Sequence, residues 1–127
     1  MFLIPTYLAP SRLHGTGVFT PFPLAAGTVL WEFNSSVDWE IKPQELILFP
    51  EPYQARLRAF CYIDDQTFLH ILCGDNARYM NHSDAPNCDD SGPVHTIALR
   101  PIEAHEELTC NYRSFDAESA AKSTSLY

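Results

Sequence analysis

Polar side chains that can bind a ligand are concentrated in one short stretch of the chain, residues 76–87. Arg78, Asn81 and His82 lie in it, and Pro86 prevents a long helix from running through it. We therefore expect a compact loop or turn in which these polar groups meet hydrogen-bonding partners. A generic surface loop would have a similar composition, so this stretch alone does not indicate a binding site.

Two further segments, one before this stretch and one after it, form a pattern with it. Residues 14–19 read His-Gly-Thr-Gly-Val-Phe, residues 78–87 read Arg-Tyr-Met-Asn-His-Ser-Asp-Ala-Pro-Asn, and residues 106–112 read Glu-Glu-Leu-Thr-Cys-Asn-Tyr. In this order the segments resemble the signature motifs of SET-domain protein lysine methyltransferases. The resemblance extends from about Gly15 to Tyr112, which is most of the chain.

The resemblance implies methyl transfer from S-adenosyl-L-methionine to a protein lysine, a displacement that needs two oriented reactants and a neutral amine. Free lysine has a pKa of about 10.4, which burial and a nearby sulfonium cation lower. By resemblance Tyr112 is the catalytic residue, with its hydroxyl beside the transferred methyl group. The implied cofactor-binding set is Gly15, Thr16, Gly17, Arg78, Asn81, His82, Tyr112 and Phe115.

Aromatic side chains suit a lysine channel because they exclude water and tolerate an approaching ammonium group. Phe60 and Tyr62 are expected to alternate onto one face of a strand and to bind the substrate. Cys110 completes the substrate-binding set, at a position where the family often has Phe or Tyr and so limits the number of methyl groups. The smaller Cys110 predicts methylation beyond the monomethyl state, unless another tyrosine restores the steric limit.

Each assignment has a structural alternative. Tyr112 can be a strand tyrosine with its ring in the core, and His82 is expected to act mainly through its backbone, with no general-base role. Arg78 braces either the loop or the carboxylate of the cofactor. Trp31 is expected in the core rather than in the site.

Composition limits the class of protein. The chain has 127 residues, enough for one domain, with 46% hydrophobic residues and no repeats. Sixteen acidic residues against eight basic ones give a net charge of −8, which argues against nucleic-acid binding and favours a basic partner such as a lysine-rich protein. We expect neither a signal peptide nor a membrane span, and a cytoplasmic or nuclear location.

Many short apolar runs and ten prolines indicate a mainly β domain. The resemblance implies a SET-domain, β-clip-like fold of several small sheets, with few short helices and a knot-like C-terminal crossing. We expect one SET domain over residues 1–116, a variable insertion at about 35–57, and a short tail over 117–127. Predicted strands are 2–9, 28–33, 94–99 and 108–112, predicted helices are 44–49 and 53–59, and a hairpin is predicted from 60–63 and 67–72.

The chain departs from the family pattern at several positions. Asp84 replaces a cysteine that often binds zinc, and no downstream cysteine cluster follows, which predicts an enzyme without a metal. The four cysteines form no Cys-x-x-Cys pair and are expected to be reduced thiols. Phe115, the tail to Tyr127 or a second subunit would then close the channel, so a homodimer is one expectation.

Three functions therefore stay open. The first is a protein lysine methyltransferase acting on a histone or another lysine-rich protein. The second is a catalytically inactive SET-like protein-binding module. The third, a metal- or thiol-dependent hydrolase, lacks any paired ligand or nucleophile motif.

Overall fold

Short β-strands dominate residues 1–92 and 94–112, which are the residues that this computed structural model describes. The described strands form three small sheets, accompanied by two α-helices and one turn of 3-10 helix at Asn76–Tyr79. The prediction of a mainly β fold with several small sheets and few short helices is thus confirmed. The strands are β1 Tyr7–Pro10, β2 Thr16–Phe19, β3 Val29–Glu32, β4 Trp39–Ile41, β5 Tyr62–Ile63, β6 His70–Leu72, β7 Asn81–His82, β8 Cys88–Asp89, β9 His95–Ala98 and β10 Glu107–Cys110.

A four-stranded sheet in the order β1-β2-β10-β7 brings the three motifs together. Its inner strand β10 pairs antiparallel with β2, where Leu108 lies opposite Val18. On its other edge β10 pairs parallel with β7, where Cys110 lies opposite His82. The Tyr112 motif therefore lies directly beside the Asn-His loop, as expected, whereas the knot-like crossing itself stays a prediction.

Two three-stranded sheets complete the architecture, one in the order β3-β9-β8 and one in the order β4-β6-β5. In the first, Trp31 of β3 lies opposite Thr96 of β9. In the second, β5 and β6 form the predicted hairpin, with Tyr62 opposite Ile71. The strands are shorter than predicted because the Asp64–Phe68 turn takes up most of the connecting residues, with Phe68 N–H donating to Asp64 O at 2.8 Å.

The two helices, α1 Pro43–Leu46 and α2 Glu51–Phe60, overlap the predicted ranges, and each has proline in its first turn. The first was predicted too long, because α1 ends at Leu46 and not at residue 49. The predicted strand position of Phe60 is wrong, because α2 continues through Phe60 and the Cys61 N–H still donates to Leu57 O at 2.7 Å. The predicted opening strand over residues 2–9 is also too long. Phe2 makes only an isolated bridge with Trp31, and pairing as a strand begins at Tyr7, after Pro5.

Two apolar clusters hold these elements together. The larger one joins the sheets and includes fully buried Val18, Leu30 and Leu108. The smaller one packs α1 and α2 against β4 and is built on Ile41, Leu46, Leu57 and Cys61. Residues 113–127, which include Phe115 and the predicted tail, lie outside the described residues, and the predicted domain limits stay predictions.

Candidate active site

A cavity of about 570 Å³ lies between the sheets and reaches the surface. Its walls come from β3, the β5–β6 hairpin, the loop after β8, and the segment around Tyr112. Aromatic side chains make up much of the lining. They are Trp31, Phe33, Phe60, Tyr62 and Tyr112.

Tyr112 is fixed at this cavity by contacts to the Asn-His loop. It is only 6% exposed, and its hydroxyl donates a hydrogen bond to the Met80 carbonyl. Its backbone N–H lies 3.1 Å from His82 Nδ1, so this nitrogen accepts and the ring proton is on Nε2. His82 Nε2 in turn donates to Asp84 Oδ1 at 2.9 Å. Asp84 therefore orients the imidazole, and the imidazole positions the Tyr112 backbone.

The other face of β10 carries a polar network that joins all three motifs. Asn81 is buried, and its amide nitrogen lies 2.9 Å from His14 O, 3.1 Å from Thr16 O and 2.9 Å from Glu107 Oε2. Gly17 leaves the room for Glu107, because a Cβ there would lie 2.5 Å from Glu107 Oε2. The Asn81 amide is thus committed to holding the glycine turn.

That turn and the neighbouring strand β7 carry five of the residues predicted to bind S-adenosyl-L-methionine. Gly15 is exposed and adopts φ +48°, a conformation that suits glycine and opens its backbone to a ligand. Around it, Thr16 and Gly17 pair with β1, Asn81 and His82 pair with β10, and the Gly15 carbonyl accepts from Ser11 N–H at 2.7 Å. These five residues lie together beside β10 and outside the lining of the aromatic cavity.

Arg78 lies on the cavity side instead. Its Nε donates to Cys73 O at 3.1 Å, and its guanidinium carbon lies 5.8 Å from the centre of the Phe60 ring. Of the two predicted roles of Arg78, this geometry favours bracing the loop over binding the carboxylate of the cofactor. Phe60, Tyr62, Cys110 and Tyr112 join Arg78 in the lining, so the predicted substrate-binding residues and the predicted catalytic residue share one space. Phe115 falls outside the described residues.

Acidic groups outnumber basic ones around the cavity. Its lining includes Glu40, Asp64, Asp65 and Asp90, against Arg78 and His95. Asp90 differs from the other carboxylates in its pKa, which desolvation raises from 3.8 to about 7 and the neighbouring Cys110 thiol lowers in part.

The cysteines are all free and buried. Burial raises the pKa of Cys88 to about 12 and raises the pKa of Cys73 and of Cys110 as well. A catalytic thiol needs a lowered pKa, so these values argue against the hydrolase function that uses a cysteine. The described residues also contain no group of three or more His, Cys, Asp or Glu side chains suited to a metal ion.

Three features of the cavity could not be predicted from residue types and spacing. Asp90 stands in an acidic pair after Cys88 with no motif around it, and only the tertiary structure shows that it faces the cavity. The Met80 carbonyl receives the Tyr112 hydroxyl, a contact that side-chain types cannot predict. Trp31 is in the core, as expected, yet it also lines the cavity, and its indole nitrogen has no hydrogen-bond partner among the described residues.

Fold and motifs together define a SET domain. The family model described as the SET domain matches residues 15–113, so the chain belongs to the SET-domain family. It is 31% identical over 120 residues to human histone-lysine N-methyltransferase 2D, covering 88% of this chain and 2% of that protein. It is 30% identical over 117 residues to a histone H3-lysine(4) N-trimethyltransferase of Arabidopsis thaliana, covering 83% of this chain and 11% of that protein.

A solved structure supports the fold. The chain superposes on a humanized mutant of the Chaetomium thermophilum Polycomb Repressive Complex 2 with a TM-score of 0.66 and 22% identity, over 93% of this chain and 16% of that chain. The chain spans only a small part of the curated relatives it matches. Within the described ranges, none of the helices has the length and apolar character needed to cross a membrane.

Proposed function

We propose that this SET domain is an S-adenosyl-L-methionine-dependent protein lysine N-methyltransferase. The observation that carries the proposal is the placement of Tyr112: it is buried, held by Met80 and His82, and exposed on one side to an aromatic cavity. A single lysine side chain is long and narrow enough to enter such a cavity, and its ammonium group is attracted to the aromatic faces.

The bound cofactor supplies an electrophilic methyl group on sulfur, and Gly15–Gly17, Asn81 and His82 would hold it. The chain's own residues do the rest. The aromatic walls exclude water and lower the pKa of the entering lysine by desolvation. The Tyr112 hydroxyl, fixed against Met80 O, aligns the amine, and the His82–Asp84 pair keeps Tyr112 in place.

The proposed substrate is a histone or another lysine-rich protein, and the proposed location is the nucleus or the cytoplasm. Support comes from the net charge of −8, from the acidic residues at the cavity, and from the names of the relatives, which are histone-lysine methyltransferases. A homodimer that completes the channel is part of the same proposal. Cys110 at the cavity leaves space for more than one methyl group on the substrate nitrogen.

The test uses purified protein, labelled S-adenosyl-L-methionine and a mixed pool of histones and cytosolic proteins. We expect label in protein lysine and a loss of about 100-fold in Tyr112→Phe, the scale reported for removing one oriented hydroxyl or amide donor at a reacting centre. Tyr53→Phe is the matched control, because Tyr53 is an exposed tyrosine of α2 away from the cavity.

One observation favours a second function. The Tyr112 hydroxyl is already paired with Met80 O, as in a purely structural tyrosine. A catalytically inactive SET-like protein-binding module would have this arrangement and would bind a partner without transfer. Cofactor binding by calorimetry, with no labelled lysine in any substrate pool, would establish that function instead.

A further inference from the structure

Asp90 is a half-buried carboxyl at the cavity with neighbours on two strands. It directly follows β8, and Thr96 of β9 donates its hydroxyl hydrogen to Asp90 Oδ1. The second neighbour is the Cys110 thiol of β10, which lowers the pKa of the Asp90 carboxyl while that carboxyl raises the pKa of the thiol. Cys110 lies two residues before Tyr112, and Asp90, Cys110 and Tyr112 all line the cavity.

Trp31, on the same wall, carries a buried donor that has no partner among the described residues. It lies opposite Thr96 in the β3–β9 pair, so the two side chains share one face of the sheet. Trp31 is 8% exposed, and its indole N–H lacks a partner within the described part of the chain. A buried donor without a partner is costly unless a ligand or water accepts from it.

We propose that Asp90 is the base that takes the proton from the target lysine ammonium before methyl transfer. This inference rests on the proposed function. The ammonium N–H bond breaks, an O–H bond forms on the Asp90 carboxylate, and the electron pair stays on the lysine nitrogen as the nucleophile. The protonated carboxyl loses its proton to solvent before the next turnover.

Other groups facing Asp90 are poorly suited to this role. Desolvation raises the pKa of Tyr62, Cys73 and Cys110, so these groups stay protonated near neutral pH. His95 of β9 is 46% exposed, and its Nε2 lies 3.3 Å from Glu32 Oε1. Asp90 remains as a carboxyl whose pKa of about 7 matches the operating pH of a general base. The titratable groups around it are Tyr62, Cys73, Cys88, Asp89, His95 and Cys110.

The first experiment needs no methyl transfer. Protein labelled with ¹³C at the aspartate carboxyls is titrated by NMR, and Asp90→Asn assigns the resonance. We expect a midpoint near pH 7, and a shift of the resonance when a lysine peptide is added. The same peptide with norleucine in place of lysine lacks the amine and is expected to leave the resonance unchanged. A midpoint below about 5, or equal shifts with both peptides, would overturn the proposal.

The second experiment measures kcat/KM against pH with two peptides, one with lysine and one with aminoethylcysteine, whose side-chain sulfur makes the ammonium more acidic. For the parent we expect the lysine rate to rise as pH passes 7, as the carboxylate forms. Asp90→Asn is expected to lose this rise and about 100-fold of the rate. The loss of kcat/KM in Asp90→Asn is expected to be much smaller with the aminoethylcysteine peptide, because a more acidic ammonium group needs less help from a base. A purely structural role of Asp90 would lower the rate equally with both peptides.

Asp89→Asn is the control, because it removes the same charge at the adjacent position while an asparagine can still accept from Ser91 N–H, as Asp89 does at 2.8 Å. We expect its rate to stay within about twofold of the parent. Equal pH profiles for the parent and Asp90→Asn would refute the role of Asp90 while leaving the methyltransferase function standing. Absence of transfer by the parent would refute the proposed function, and the NMR titration would still decide on Asp90.

Discussion

The variant Asp90→Asn is expected to make the protein more stable at neutral and alkaline pH. The pKa of Asp90 rises from 3.8 to about 7 in the folded protein because folding partly removes the carboxyl from water. Because the folded-state pKa lies above the unfolded one, the neutral Asp90 carboxyl makes its full contribution to the free energy of unfolding below about pH 4. This contribution is lost as the pH rises through about 7. Asparagine stays neutral throughout and avoids this loss.

The magnitude follows from the same shift. At about 1.4 kcal/mol per pKa unit, the rise from 3.8 to about 7 corresponds to roughly 4 kcal/mol at most. Part of it develops below pH 5, so the advantage of Asp90→Asn over the parent grows by roughly 2 to 3 kcal/mol between pH 5 and pH 8. Asparagine has almost the same volume as aspartate and can still accept from the Thr96 hydroxyl.

The assay is urea unfolding of the parent and the variant at both pH values. Leu57→Ala is the control, because Leu57 is 3% exposed in the smaller core and its loss of about 3 kcal/mol involves no titration. Its effect is expected to be equal at the two pH values. If the difference in free energy of unfolding between Asp90→Asn and the parent is the same at both pH values, the pKa of Asp90 is not raised in the folded protein.

Two further predictions concern backbone fit and product. Gly74→Ala is expected to destabilise the protein by about 2 kcal/mol or more in urea unfolding, because the added Cβ would lie 1.8 Å from Val37 O. Gly92→Ala is the matched control, since its Cβ would lie 3.6 Å from His95 O, an ordinary contact; equal losses in both variants would contradict the clash. Mass spectrometry after saturating turnover is expected to find di- or trimethyl-lysine with the parent and mainly monomethyl-lysine with Cys110→Tyr, because the larger ring fills the cavity beside the amine. If the parent produces only monomethyl-lysine, the prediction that Cys110 leaves space for further methyl groups is wrong.

Local structure was predictable where short-range chemistry decides it. Pro43 in the first helical turn located α1, and apolar runs between turn residues located the β5–β6 hairpin. The prediction failed for Phe60, because an aromatic residue before a strand fits the last turn of a helix as well as a strand. The hydrogen bond from Cys61 N–H to Leu57 O decides between them, and it forms only in the folded chain.

The sequence by itself determined the family, the order of its three motifs, and the candidates Tyr112, Asn81 and His82, because these depend on residue type and spacing along the chain. Only the tertiary structure decided which groups meet. The parallel pairing of β10 with β7 is a contact between distant segments, and it turns His82 toward the Tyr112 backbone. The pairing of β8 with β9 likewise places Asp90 beside Thr96 and the cavity. A carboxyl acquires an elevated pKa from its surroundings in space, and no local pattern of residues contains that information.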